Sequence, residues 1–218
     1  MPPSGRPNMR ILVTAGPTRE PIDPVRFISN RSSGKMGYAV ARAAAQRGHE
    51  VRLVSGPVAL PAPDGVALTR VTTAQEMLAA VAAQTPWCEA LVMAAAVADW
   101  RPAGVSAVKL KKRAAPLRLE LEPTPDILRE IAPLKGRRLY VGFCAESGDP
   151  RPEARRKRAA KGLDLIVAND ISRADAGFEV DTNQVWFIAA DGTERELPLL
   201  SKEAVGREIV LWIESFRR

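Results

Sequence analysis

Short apolar runs and longer amphipathic runs take turns along this chain, and few folds accommodate that alternation. Apolar runs bounded by turn signals predict strands over residues 9–15, 50–54, 66–71, 90–95, 138–144 and 164–168. Helical periodicity fills the gaps between them. Thr73, with Glu76 three positions on, forms a capping box; Thr124 with Pro125 reads as an N-cap followed by proline at the first helical position. A basic helix runs from Arg151 to Lys161 and stops at Gly162. Strands and helices in this order predict an α/β protein: a Rossmann-like, doubly wound, mostly parallel sheet covered on both faces. The end of the chain departs from the pattern. QVWFI from Gln184, a turn at Asp191-Gly192 and ERELPL from Glu194 predict a hairpin extending one sheet edge, and Ser201 then caps a final helix to Phe216.

The first strand and first helix are joined by GPTREPIDPVRFISNRSSGKMG, Gly16 to Gly37, where such a connection usually needs about 2 to 6 residues. Ligands of open α/β sheets sit beyond the carboxyl ends of the strands, so this loop lies where chemistry is expected. Gly34 and Gly37, behind Ser32 and Ser33, open the helix, where free N–H groups and the helix dipole favour a phosphate or another anion. Close packing of the helix on the sheet explains the same glycines equally well. A dinucleotide site calls for G-x-G-x-x-G directly after the strand and an acid ending the second strand. Instead Gly16 leads into the long loop, and the second strand ends Leu53-Val54-Ser55-Gly56.

His49, the single histidine, follows the helix-ending Gly48 and reads as a cap or surface residue. Cys88 and Cys144 sit in apolar stretches without a partner spacing and read as reduced thiols of a cytoplasmic protein. No His/Cys cluster suits a structural metal, and no G-x-S-x-G elbow is present. What remains is Asn30, a set of lysines and Asp99, residues suited to chemistry by positioning and charge stabilisation.

Lys and Arg total 32 against 25 Asp and Glu, a net charge of +7, so an anionic partner is expected. Nucleic acid is disfavoured: the basic residues are scattered, aromatics are 5%, and no recognised nucleic-acid module occurs. A membrane is disfavoured too, because the apolar run over 90–98 is far shorter than the ~20 residues a spanning helix needs. Residues 1–8 read as a flexible tail and 9–218 as one domain. The basic, Ala/Pro-rich stretch WRPAGVSAVKLKKRAAPLRLELEP, about 100–122, reads as a flap or as a solvated loop.

Several stretches in order, the Gly16–Gly37 loop, AAAVADW from Ala94, KLKK from Lys109, TPDIL from Thr124, GFCAES from Gly142 and ARRKRAAKGLDLIVAND from Ala154, resemble phosphopantothenate-cysteine ligase of the bacterial CTP-dependent type. The likeness runs over nearly the whole chain. In bacteria that activity usually forms the carboxy-terminal half of a bifunctional flavoprotein, and nothing here corresponds to the decarboxylase half. The resemblance therefore implies CTP and Mg2+ but no FMN, phosphopantothenate and cysteine as substrates, and a separate decarboxylase as a possible partner. It also implies a homodimer.

Carried over residue by residue, the resemblance makes Asn30 and Lys109 catalytic: Asn30 holds the acyl intermediate, and Lys109 acts from the flap after closure. It assigns nucleotide contacts to Gly16, Ser32, Gly34, Gly37, Met93, Ala94, Ala95, Asp99, Lys109, Thr124, Pro125, Phe143, Lys157, Lys161 and Asn169. Substrate contacts fall to Arg26, Asn30, Ala95, Ala96 and Asp99, with Arg26 reaching phosphopantothenate in the neighbouring subunit. Metal ligands stay unassigned. Two departures stand out: Glu122-Pro123 precedes TPDIL where many relatives carry lysine, and Cys144 and Ser147 replace the commoner alanine and threonine of GFCAES. The readings weighed against the ligase are a Rossmann-type oxidoreductase and a nucleotide- or nucleic-acid-binding protein.

Overall fold

The computed structural model describes residues 8–112, 116–172 and 180–216, and in it the first strand lies inside the sheet, flanked on both sides by later ones. The elements are β1 (Arg10–Ala15), β2 (Arg19–Pro21), β3 (Phe27–Ser29), α1 (Lys35–Gln46), β4 (Glu50–Ser55), β5 (Val66–Arg70), α2 (Ala74–Gln84), β6 (Ala90–Met93), β7 (Trp100–Pro102), β8 (Leu121–Pro123), α3 (Ile127–Glu130), β9 (Leu139–Glu146), α4 (Arg151–Ala160), β10 (Leu165–Asp170), β11 (Thr182–Ala189), β12 (Glu194–Ser201) and α5 (Lys202–Ser215). The eight-stranded sheet has the order β12-β11-β10-β9-β6-β1-β4-β5. From β5 to β10 every pairing is parallel, and the β11–β12 hairpin adds antiparallel strands at one edge, as the sequence implies.

Alternation along β1 shows how the two faces are built. Ile11, Val13 and Ala15 join a core with Tyr38 and Val40 of α1 and with Val205, Ile209 and Ile213 of α5. Leu12 points the other way, into a core with Met77 and Val81 of α2, Ile127 of α3 and Ala154 of α4. Successive residues of a strand face opposite sides, so a parallel strand covered by helices on both must be apolar nearly throughout. Gly206 lets α5 cross α1 closely, since a Cβ there would stand 2.9 Å from the backbone of Ala39.

Some expectations change in detail. The capping box at Thr73 and the Ser201 cap both form. Thr124 does not cap a helix: its hydroxyl donates to the Ala98 carbonyl and its N–H to that of Asp99. Asp126 caps instead, accepting from Arg129 N–H, and the helix starts at Ile127. His49 is neither a cap nor a surface residue. It is buried, its Nδ1 accepts from Met9 N–H, and its Nε2 lies 2.9 Å from Glu214, which also pairs with Arg47. The histidine thus ties the start of β1 to the last turn of α5.

The long loop after β1 contains structure that its sequence hides. β2 and β3 pair as a short antiparallel arm, closed by Asp23 accepting from the N–H groups of Val25 and Arg26. The excursion after Asp99 rises from a second two-stranded ribbon, β7 with β8. The predicted tail falls outside the described residues apart from Asn8, and so does part of the flap, residues 113–115.

Candidate active site

From β1 the chain winds outward through β4 and β5, then returns to place β6 on the other side of β1. At such a reversal the connections leave in opposite directions and open a crevice beyond the strand ends. A cleft of about 390 Å3 lies there, between the α1 N-terminus, the segment after β6 and the start of α3.

The end of β1 and the loop after it fix the segment after β6. Thr14 Oγ1 accepts from Ala95 N–H, the Gly16 carbonyl from Ala96 N–H, and Thr18 Oγ1 from Ala98 N–H. Asn30 Nδ2 donates to the Val97 carbonyl at 2.9 Å, with a longer contact to that of Ala96. Thr14 and Thr18 are fully buried, so each hydroxyl must find partners inside the protein. The segment from Ala95 to Ala98 is thereby held at each residue. The bonds also decide what Asn30 is: it crosses to a distant segment rather than closing a local turn on its own backbone.

The glycines divide by cause. Gly34 has φ +76°, a backbone conformation favouring glycine, and caps α1 without any side-chain bond. Gly37 is required by packing, because a Cβ would lie 2.6 Å from both the Ala15 Cβ and the Thr14 carbonyl oxygen. Gly16, φ +75°, turns the chain out of β1 next to Gly56 and Val58 and does not line the cleft. Gly56 in turn must be glycine, for a Cβ would fall 1.8 Å from the Pro17 carbonyl oxygen. The loop therefore fills the end of β4, where a dinucleotide would need room for its ribose.

Of the residues expected at the site, Asn30, Ser32, Gly34, Gly37, Met93 to Ala96, Asp99, Thr124, Pro125, Phe143, Lys161 and Asn169 all line this cleft. Three side chains stand apart from it. Lys157 is half-buried and bonds Glu146 at 2.7 Å, with Glu153 beyond it. Its neighbour one turn on, Lys161, reaches the cleft and pairs with Asp126 at 3.3 Å. Lys109 lies on the flap, and Arg26 on the arm meets its neighbour Leu110: the Arg26 guanidinium donates to Asp23 and to the Leu110 carbonyl, while Leu110 N–H donates to Asp23. Burial opposes the charge of Asp23, but N–H donors from Val25, Leu110 and Arg26, with the guanidinium, outweigh it and hold the carboxyl at about 2.

Sequence reasoning missed Asn183 and Lys202, which line the same cleft from the C-terminal hairpin and helix. Burial pushes the Lys202 ammonium down to about 8, with Lys35 adding to the effect and Asp181 opposing it. No local motif marks either residue, since only the sheet order carries them beside α1. Cys144, flagged as a departure, is buried, and burial pushes both its thiol and that of Cys88 up to about 11. Neither is a thiolate near neutral pH.

Residues 7–216 match the family model described as the DNA/pantothenate metabolism flavoprotein C-terminal domain. The chain is 49% identical over 201 residues to the coenzyme A biosynthesis bifunctional protein CoaBC of Bacillus subtilis, and 49% identical over 204 residues to that of Escherichia coli K12. Each alignment covers 92% of this chain and 50% of the relative, so the chain spans about half the length of the curated relatives it matches. Among solved structures, the C-terminal domain of a CoaBC protein superposes with a TM-score of 0.82 at 44% identity, covering 96% of both chains. Fold, cleft and sequence agree, and the chain belongs to the family of DNA/pantothenate metabolism flavoprotein C-terminal domains.

Proposed function

We propose that this chain is a phosphopantothenate-cysteine ligase acting in coenzyme A biosynthesis, which activates the phosphopantothenate carboxylate with CTP and transfers it to the amine of cysteine. The observation that carries the reading is one cleft in which Asn30, the N-terminus of α1 with no side-chain cap, and the clamped alanine segment converge. α1 has no acidic residue in its first turn, so its N–H groups and dipole remain available to a nucleotide phosphate. Asn30 brings a neutral amide to the acyl centre, where a carboxylate would repel phosphate. The backbone after β6 offers hydrogen-bonding groups for base and ribose. Homology to the C-terminal half of CoaBC proteins supports the same assignment.

Among the described residues, no group of three or more His, Cys, Asp or Glu side chains could hold a metal. The cleft has Asp99 and Asp126, and Asp126 already accepts from Arg129 and Lys161. Such a sparse donor set fits Mg2+ held mainly by phosphate oxygens, with Asp99 as the available protein ligand. The ion would neutralise charge on the transferring phosphoryl group. Lys109, exposed on the flap, is assigned to a closed state in which the flap covers the cleft and excludes water. Arg26, bonded away from its own cleft, is assigned to phosphopantothenate bound in the second subunit of a homodimer. A monomer at assay concentrations would refute that arrangement.

The test is pyrophosphate release from CTP. Release should require phosphopantothenate and Mg2+, and the acylated amine should form only when cysteine is added. Thermal stabilisation by NADPH with none by CTP would reject the ligase in favour of an oxidoreductase.

A further inference from the structure

The hairpin-to-helix junction brings two unassigned polar side chains to the cleft. Asn183 stands at the start of β11, beside a shift of register against β12, and Lys202 is the first residue of α5. Thr182 pairs with Ser201 across the hairpin, and Lys202 N–H donates to the Asp181 carbonyl, so the two are fixed relative to one another. Asn183 is 4% exposed, yet its Oδ1 has no hydrogen-bond partner. A buried acceptor left unmade is costly, and its presence in a ligand cleft points to a partner that arrives with the ligand.

The surrounding charge identifies that partner. Lys202 is 6% exposed, Lys35 lines the same cleft, and α1 begins there with neither a side-chain cap nor an acid in its first turn. Asp181 is the carboxylate nearby, bonded to Lys35 at 2.6 Å. Two ammonium groups and a helix N-terminus repel a cationic amine and attract an anion. A half-turn of the Asn183 amide exchanges its oxygen for Nδ2, turning the unmet acceptor into a donor toward phosphate oxygen.

We infer that Asn183 and Lys202, with the α1 N-terminus, bind the β- and γ-phosphates of the nucleotide and then the pyrophosphate it releases. This deepens the ligase reading and rests on it. In the activating step a carboxylate oxygen bonds to the α-phosphorus as the bond from that phosphorus to the β-phosphate bridging oxygen breaks. The electron pair stays on the departing oxygen, so pyrophosphate gains negative charge as it leaves. Lys202 and Asn183 stabilise that charge in the transition state. The buried ammonium, partly neutral above pH 8, must be protonated to do so; a bound anion favours that form against burial and the repulsion of Lys35.

The test uses the full chain with Mg2+ and reads binding alone, by calorimetry with CTP, CMP and inorganic pyrophosphate. Lys202→Met should weaken CTP and pyrophosphate at least tenfold while leaving CMP within about twofold. Asn183→Asp, which sets a carboxylate against the phosphates, should do the same more severely. At pH 8.5, wild-type binding of CTP should take up protons, seen as a dependence of heat on buffer ionisation, and Lys202→Met should abolish the uptake. Equal losses for CMP and CTP would mean general damage to the cleft and overturn the inference. So would unchanged CTP binding in both variants. A wild-type chain that binds no nucleoside triphosphate would instead remove the ligase reading beneath it.

Discussion

Replacing Asn30 by aspartate is the sharpest probe of the cleft, because it alters one donor and one charge without altering size. Asn30 donates from Nδ2 to the Val97 carbonyl and remains exposed, so the fold should lose only about 0.5–1.5 kcal/mol, the net worth of one hydrogen bond. The catalytic cost should be much larger. Removing a donor to a developing oxyanion costs about 10²–10³ in rate. A carboxylate about 4 Å from a phosphate charge adds repulsion of about 4 kcal/mol at an effective dielectric of ~20, roughly three further powers of ten before magnesium and water screen it. Asn30→Ala should therefore lose about a hundredfold or more in kcat/KM for pyrophosphate release, and Asn30→Asp at least tenfold beyond that. Urea unfolding on both variants checks that the fold is retained. Aspartate turning over within tenfold of the wild type would refute the role of Asn30, and equal losses in the two variants would refute the argument from charge.

Two further perturbations follow from particular contacts. Gly37→Ala places a Cβ 2.6 Å from the Thr14 carbonyl oxygen, which cannot move without moving β1, so urea unfolding should show about 1–3 kcal/mol of destabilisation less up to ~1 kcal/mol regained from helix propensity; a variant as stable as the wild type would show that Gly37 serves ligand approach rather than packing. Asp23, held at about 2 against an ordinary 3.8, contributes stability that is complete above the ordinary value and lost as pH falls from about 4 toward 2. Exchange protection of the Leu110 amide should therefore fall over that range before core amides such as Val13 do, and protection unchanged down to pH 2 would disprove the Asp23 tie.

Six parallel strands were legible because each is an apolar run between turn signals, and the hairpin because Asp191-Gly192 separates two such runs. β2 and β3 were not: three-residue strands carry no period, and Pro21 and Pro24 read as loop until Asp23 is seen closing the arm. Thr124 misled for a related reason. A threonine before proline matches a helix cap locally, but the Ala98 carbonyl, far away in sequence, captured its hydroxyl. Most residues lining the candidate cleft were named by resemblance, since they sit in contiguous motifs. Asn183 and Lys202 were not, because their place depends on an edge hairpin folding back beside α1.

The length of the loop after β1 follows from the same geometry. β6 ends at Met93, and the chain then runs without regular structure to β7, so the cleft-lining alanines have no ladder to hold them beyond the Pro17–Ala96 bridge. A connection of ordinary length could turn from β1 into α1 but could not cross over to those alanines. β1 itself supplies the Thr14 hydroxyl to Ala95, and the longer loop adds the Gly16 carbonyl to Ala96, the Thr18 hydroxyl to Ala98 and the Asn30 amide to Val97. Between the last two it makes an arm whose far side is anchored by Glu20 accepting from Ala74 N–H at the start of α2. Asn30 is thus a clamp on the segment and, in the proposed reaction, the polar group facing the acyl centre. Its orientation is set before any substrate binds, which is the condition under which a single neutral amide can stabilise charge without first reorganising.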